Sequence, residues 1–361
     1  MSKPRVLIMA GGTGGHVFPG LAVADRMRDL GYEINWLGTG RGIENDLVPA
    51  AGYPLHQLTV TGVRGSSAVA RLLAPFRIAQ SVWQAMRTLR HFKPDVVLGF
   101  GGYASGPGGV AARLLRIPLV IHEQNAVAGT TNKLLSRIAN SVLCGFPNAF
   151  GPAVQCTVVG NPVRASLGEI DSPTARGLAM QTPFRLLILG GSQGAQAINE
   201  MVPEALSLLS PSERPQVRHQ CGKANLVATQ AAYARAAVNA NIEPFITDMA
   251  EALTQADLVI ARAGALTVAE IAAVGVSSVL IPFPHAIDDH QTSNARALVD
   301  LGAATLMPQS GLTAEALAAT LREQLQTESL LSRATASRAA GKPDATEQVV
   351  RELQHWMGEK V

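Results

Sequence analysis

The chain has 361 residues, 47% of them hydrophobic and 16% charged, with a formal net charge of +3 at pH 7. These values exclude a disordered chain and leave no basic footprint for nucleic acid, and no basic run is interleaved with aromatic residues to stack single strands. The length suits two domains of roughly 150–200 residues each, while Cys144, Cys156 and Cys221, odd in number and in no Cys-x-x-Cys pair, indicate neither a disulfide framework nor a zinc site.

From the N-terminus, only five apolar residues lie between Arg5 and the first glycine pair, too few for a signal-peptide core, and no apolar run approaches the ~20 residues that cross a bilayer. A cytosolic chain is expected. Val6-Leu7-Ile8-Met9-Ala10 reads as a buried strand, Gly11-Gly12-Thr13-Gly14-Gly15 as a glycine-rich turn, and 19–30 as a helix closed by Gly31. Without β-carbons such a turn lets backbone approach a ligand, and the helix start behind it offers amides to an anion. His16 follows directly. Its imidazole suits proton removal from a sugar hydroxyl near neutral pH, against the plainer alternative of local capping.

Further strands are expected at 34–37, 95–98, 119–121, 141–143 and 157–159, brief apolar runs of the kind that parallel sheets bury on both faces. Between them, 71–83 sets Leu72, Phe76, Ala79 and Trp83 at helical spacing with Arg64, Arg71 and Arg77 nearby, a pattern that fits either ordinary core or docking on an anionic membrane surface. The glycine-dense stretch 99–109 and His122-Glu123-Gln124-Asn125 each follow a strand. The first of these would floor a second diphosphate. The alternation lapses over 161–182, which reads as the connection between domains, placed as 1–162 and 163–340.

The second half repeats the first. A strand at 184–189 leads into Gly190-Gly191-Ser192-Gln193-Gly194 and a helix over 195–209, so that a phosphate-binding unit is duplicated. Strands at 216–220, 242–246, 257–261, 278–282 and 304–306 alternate with helices such as 224–238 and 312–325, and 344–356 reads as a capped helix that returns to the first domain within 341–361. Ligands of open α/β sheets bind beyond the carboxyl ends of the strands, so a cleft between two facing domains is expected.

The loops do not fit two familiar phosphate motifs. Val17 stands where the dinucleotide fingerprint needs its third glycine, and Gly38-Thr39 end the second strand where that fold carries an acid; no Walker A sequence occurs. A nucleotide enzyme that is neither a nicotinamide dehydrogenase nor a P-loop phosphotransferase remains. In Arg262-Ala263-Gly264-Ala265-Leu266-Thr267-Val268-Ala269-Glu270, Glu270 is placed to accept from a ribose diol, or else to interact with its helix dipole. In the loop 282–291, Gln291 is expected to read sugar hydroxyls and Asp288 to cap the following helix, a better account than a metal site of His285, Asp288, Asp289 and His290.

Taken together, Gly11 to Pro19, Gly99 to Gly109, His122 to Asn125, Gly160-Asn161-Pro162-Val163-Arg164, Gly190 to Ala195 and Ala265 to Glu270 resemble, in order and over nearly the whole chain, the MurG family of bacterial peptidoglycan glycosyltransferases. The resemblance implies an α/β GT-B fold of two Rossmann-like domains and no metal or cofactor. It implies inverting transfer of N-acetylglucosamine from UDP-N-acetylglucosamine to lipid I, undecaprenyl-pyrophosphoryl-N-acetylmuramoyl-pentapeptide, which forms lipid II on the cytoplasmic face of the inner membrane.

It also implies an N-terminal acceptor and membrane-docking domain, a C-terminal donor domain, and partners among other cell-wall synthesis proteins. By motif, Ser192 and Arg164 would hold donor phosphates, backbone at Ile246 would read uracil and Glu270 the ribose, and Ala265, Leu266, Thr267, Val268 and Ala269 would also bind substrate. Gln291 and Asn125 would contact the donor sugar beside Thr13, Gly14 and Gly15, and His16 would be the base. The rivals are a related GT-B enzyme with another lipid acceptor such as a diacylglycerol, and a silent nucleotide-binding scaffold.

Overall fold

Runs such as Val96-Val97-Leu98 have no polar face, so they need helical cover above and below, the condition under which strands pair in parallel. The computed structural model describes residues 3–60, 74–191 and 195–358, and among them this arrangement is built twice. One unit comprises Met1–Arg164 together with Pro343–Val361, the other Ala165–Lys342.

The first unit holds β1 (Arg5–Met9), β2 (Glu33–Thr39), β3 (Leu55–Leu58), β4 (Val96–Gly99), β5 (Leu119–Glu123), β6 (Ser141–Cys144) and β7 (Thr157–Val158), in the order β3-β2-β1-β4-β5-β6-β7. The second holds β8 (Arg185–Leu189), β9 (Gln216–Gln220), β10 (Asn241–Glu243), β11 (Leu258–Ala261), β12 (Ser277–Leu280) and β13 (Ala304–Leu306), in the order β10-β9-β8-β11-β12-β13. Every pairing is parallel. Each order reverses beside its first strand, between β1 and β4 and between β8 and β11. The loops leaving those four carboxyl ends border the crevices in which doubly wound sheets bind ligands.

Several elements differ from the sequence reading. The first helix spans Gly14–Asp29, starting five residues before Pro19, and so carries His16 in its first turn. Pro19 is tolerated inside it at the loss of one intrahelical hydrogen bond. β3 and the helix Glu44–Ala50 were not expected, and the strand expected at 242–246 covers only Asn241–Glu243 because Pro244 has no N–H to continue the ladder.

The last helix, Ala345–Trp356, lies against Gly14–Asp29 in the first unit. Val349, Val350 and Leu353 join the cluster of Val6, Ile8 and Trp36, which contributes about 1.5–3 kcal/mol per buried side chain. Arg26 pairs with Glu347 at 2.6 Å and Gln354 donates to the Tyr32 hydroxyl at 3.1 Å. Asp344 occupies the N-cap position, but its carboxylate accepts from the Gln348 side chain at 2.7 Å and caps no amide.

Candidate functional site

At the switch point of the first sheet, the β1 loop and the β4 loop touch. A β-carbon on Gly102 would lie 2.7 Å from the Gly11 carbonyl oxygen, and the positive φ of 78° is itself a glycine conformation. His16 is fixed between them: its Nδ1 lies 3.2 Å from the Gly11 carbonyl, which can only accept. Nδ1 therefore carries the proton of the neutral ring and Nε2 the basic lone pair. Gly101 lies beside that Nε2: a β-carbon there would stand 3.5 Å from it, in ordinary contact, and it is the positive φ of 92° that calls for glycine.

The loop itself is held by a residue that belongs to none of the sequence motifs. Glu44, fully buried, accepts from the amide of Gly12 at 2.8 Å and that of Thr39 at 3.2 Å, with the Thr39 hydroxyl 2.9 Å away. No local signal marks it, since it follows β2 and reaches a loop 32 residues earlier.

Next to this corner, the end of β5 is a buried polar knot. Glu123 accepts from the amides of Asn125 at 3.0 Å and Gly129 at 3.1 Å and from the Asn132 side chain at 2.9 Å. His122 donates from Nε2 to the Gly160 carbonyl at 2.8 Å and accepts at Nδ1 from Gln124 at 3.1 Å. Burial pushes its pKa down to about 4, so it is neutral at working pH and is a scaffold rather than a base.

The second unit carries a cavity of about 670 Å³ at its own switch point, lined among others by Gly190, Gly191, Arg262, Thr267, Phe283 and Gln291. That volume lies within the ~300–1,000 Å³ of small-molecule sites. Two helices begin on it, Gln196–Ser207 and Ala265–Val274, and their N-cap residues, Ala195 and Gly264, make no side-chain cap. Both helix starts thus direct backbone amides and positive dipole ends toward one space.

Here the clamp on the glycine loop is a neutral amide. Gln220, at the end of β9, accepts from the Gly191 amide at 3.1 Å and donates to the Gly191 carbonyl at 2.9 Å. Behind it His219 is locked neutral between Tyr233 and Asn199, with burial lowering its pKa to about 3. Arg262 donates to the carbonyls of Ile281 at 3.1 Å and Pro282 at 3.0 Å and to Gln309 at 2.6 Å, and its guanidinium lies 5.6 Å over Phe283. It places a guanidinium on the cavity wall, and burial lowers its pKa.

Residues 6–144 match the glycosyltransferase family 28 N-terminal domain and residues 185–349 the family 28 C-terminal domain. The UDP-N-acetylglucosamine–N-acetylmuramyl-(pentapeptide) pyrophosphoryl-undecaprenol N-acetylglucosamine transferase of Chromohalobacter salexigens is 56% identical over 349 residues, 96% of this chain and 95% of the relative. The same-named protein of Aeromonas hydrophila is 54% identical over 356 residues, covering 98% and 97%. The crystal structure of Acinetobacter baumannii MurG matches with a TM-score of 0.84 at 44% identity, over 98% of this chain and 99% of that one. The chain belongs to the MurG family. Its two Rossmann-like units are those of a GT-B glycosyltransferase, a fold it shares with the calicheamicin glycosyltransferase CalG4 at 16% identity, TM-score 0.70 and 99% coverage of both chains.

The structure brings some residues of the MurG-family motifs together and separates others. Thr13, Gly14, Gly15 and His16 share the first corner, while Thr267 and Gln291 line the second-unit cavity with Gly264. Ala265, Leu266, Val268, Ala269 and Glu270 follow on the same helix but do not line that cavity; the side chain of Val268 is core, and Glu270 is 9% exposed. Ile246 is buried and is not among the residues that line the cavity. Gln291 uses its oxygen to accept from the Phe283 amide at 2.9 Å.

Arg164 ends the N-terminal segment of the first unit, with its guanidinium 5.3 Å over the Phe18 ring. Ser192 lies outside the described residues. The N-cap before helix His290–Val299 is Asp289 rather than Asp288; both have positive φ, and Asp289 accepts the Thr292 hydroxyl at 2.7 Å instead of an amide.

Proposed function

We propose that the chain transfers N-acetylglucosamine from UDP-N-acetylglucosamine to lipid I, with inversion, forming the β-1,4 disaccharide of lipid II. The acceptor's 4-hydroxyl attacks the sugar's anomeric carbon on the face opposite UDP, the bond from that carbon to the phosphate oxygen breaks, and the hydroxyl proton passes to Nε2 of His16. Charge then grows on UDP. The second-unit cavity carries this reading: two helix starts and Arg262 surround a space of nucleotide size, so the leaving diphosphate is stabilised by fixed dipoles and a cation. Glu270 for the ribose, Ile246 backbone for uracil, and Gln291 and Asn125 for the donor sugar complete the assignment, with Ser192 and Arg164 on the phosphates.

Transfer of labelled sugar from UDP-N-acetylglucosamine to a lipid I analogue tests it directly. Disaccharide on the lipid I analogue is expected; label on diacylglycerol instead, or UDP binding without product, would overturn it. Loss of UDP affinity on Arg164→Ala is expected, and unchanged affinity would remove that residue from the donor site.

The acceptor is a lipid, and helix Ala74–Phe92 supports docking at the cytoplasmic membrane face. Its buried face is Ser81, Ala85 and Leu89, whereas Phe76 is 75% exposed and Trp83 58%. The stripe through 76 and 83 is therefore not core, and Arg77 accompanies it; Arg64, Arg71 and Leu72 lie outside the described residues. Among the described residues no helix is long and apolar enough to cross a membrane. Sedimentation with anionic liposomes should be lost in a Phe76→Asp, Trp83→Asp double variant, and retained binding would end the docking role.

A further inference from the structure

The sequence separates Cys144 and Cys156 by twelve positions and suggests no pairing, yet the fold brings them together. Cys144 is the last residue of β6, and Cys156 immediately precedes β7, which pairs with β6 in parallel through Leu143 with Thr157 and Cys144 with Val158. Because Cys156 stands two residues before Val158, the alternation of a strand puts it on the same sheet face as Cys144. The two Sγ atoms are 2.6 Å apart, and both cysteines are free thiols. The third cysteine, Cys221, is in the other unit, where its sulfur meets the carbonyls of Gly222 and Glu243.

We propose that Cys144 and Cys156 form a reversible redox site, closed to an intramolecular disulfide by a low-molecular-weight disulfide such as oxidised glutathione. Cys156 is half-buried and Cys144 fully buried, which sets the order of events. The Cys156 thiolate attacks one sulfur of the oxidant, forming a mixed disulfide and releasing one glutathione thiolate. The Cys144 thiolate then attacks the Cys156 sulfur and releases the second glutathione. Two protein thiols are oxidised, one oxidant disulfide is reduced to two thiols, and the two protons leave with them or with solvent.

Burial first, then the hydrogen bond and charge of Cys156, hold the Cys144 thiol above its ordinary range in the reduced protein. Conversion of Cys156 to the mixed disulfide removes the hydrogen bond and charge of that neighbour, while burial continues to hold the Cys144 thiol up. The bond would close the segment 145–155 beside the acceptor-side knot, since the Gly145 amide donates to the Glu123 carbonyl and the Ala128 amide to the Ala149 carbonyl, each at 2.8 Å.

The test is incubation of the full chain with excess oxidised glutathione, quenching with an alkylating agent, and mass spectrometry. The expected product is lighter by two hydrogens, yields a cross-linked peptide joining positions 144 and 156, and reverts with dithiothreitol. Cys144→Ser should stop at a glutathione adduct on Cys156, and Cys221→Ser should behave as wild type. Wild-type protein that stops at the Cys156 adduct, pairs through Cys221, forms only intermolecular dimers, or stays reduced while Cys156 alkylates would overturn the proposal. Thermal unfolding of each reduced variant separates a folding defect from a missing partner.

Discussion

The amide of Gly12 is held by the buried carboxylate of Glu44, and the amide of Gly191, at the matching turn of the other unit, by the neutral side chain of Gln220. Strand, glycine turn, helix and strand order are otherwise shared. A carboxylate ~5 Å from a phosphate costs on the order of 3 kcal/mol at an effective dielectric of about 20. Under the proposed function, a donor diphosphate is therefore expected at the second corner rather than against the Glu44 carboxylate of the first. The first corner instead carries His16, and on the proposed function one duplicated unit would provide the base and the other the anion site.

The largest expected effect tests the chemical half of that division. His16→Ala should lower turnover by roughly 10²–10⁴-fold, the usual share of a general base, while UDP affinity stays within about twofold. Single-turnover kinetics beside calorimetric UDP titration reads both, and an equal loss in the two would place His16 in donor binding instead.

Exchanging the clamps comes next. Gln220→Glu should weaken UDP binding about a hundredfold by placing a carboxylate at the second corner, and the converse Glu44→Gln should leave it unchanged. Equal effects from both would erase the distinction between the corners.

These clamps are also where the sequence is least informative. Alternating apolar runs and glycine turns disclose both sheets, both corners and the returning terminal helix, because periodicity and backbone freedom are local properties. Glu44 and Gln220 each act on a loop about 30 residues away through a neighbouring strand, a relation that exists only after the sheet assembles. The early start of the first helix was hidden by Pro19, which reads as a helix beginning yet sits in the sixth position, and the Cys144 and Cys156 pair by the register of β6 with β7. Arg164 was legible as a motif residue, but its stacking on Phe18 in the first unit was not.

A smaller contrast concerns acid. His122 in the first unit and His219 in the second are buried neutral, with pKa values lowered from 6.5 to about 4 and about 3. The unfolded chain protonates both near pH 6.5 while the folded chain does not, so stability is full above that pH and falls below it by ~1.4 kcal/mol per unit for each histidine. The decline due to His122 should level off near pH 4 and that due to His219 continue toward pH 3. Urea unfolding against pH checks this, and the His219→Gln variant should show a shallower slope; an unchanged slope would contradict a neutral His219.

The smallest effect is expected at the cavity wall. Arg262→Ala removes three hydrogen bonds and the stacking on Phe283, and should weaken UDP about tenfold without altering the sugar-transfer base. Wild-type affinity in that variant would show that the wall needs no cation.

The division of labour is tested most directly by a crystal structure of the chain with UDP. Diphosphate density is expected over the amide of Gly191 and the start of helix Ala265–Val274. Density over Gly12 to Gly15, against the Glu44 carboxylate, would contradict it.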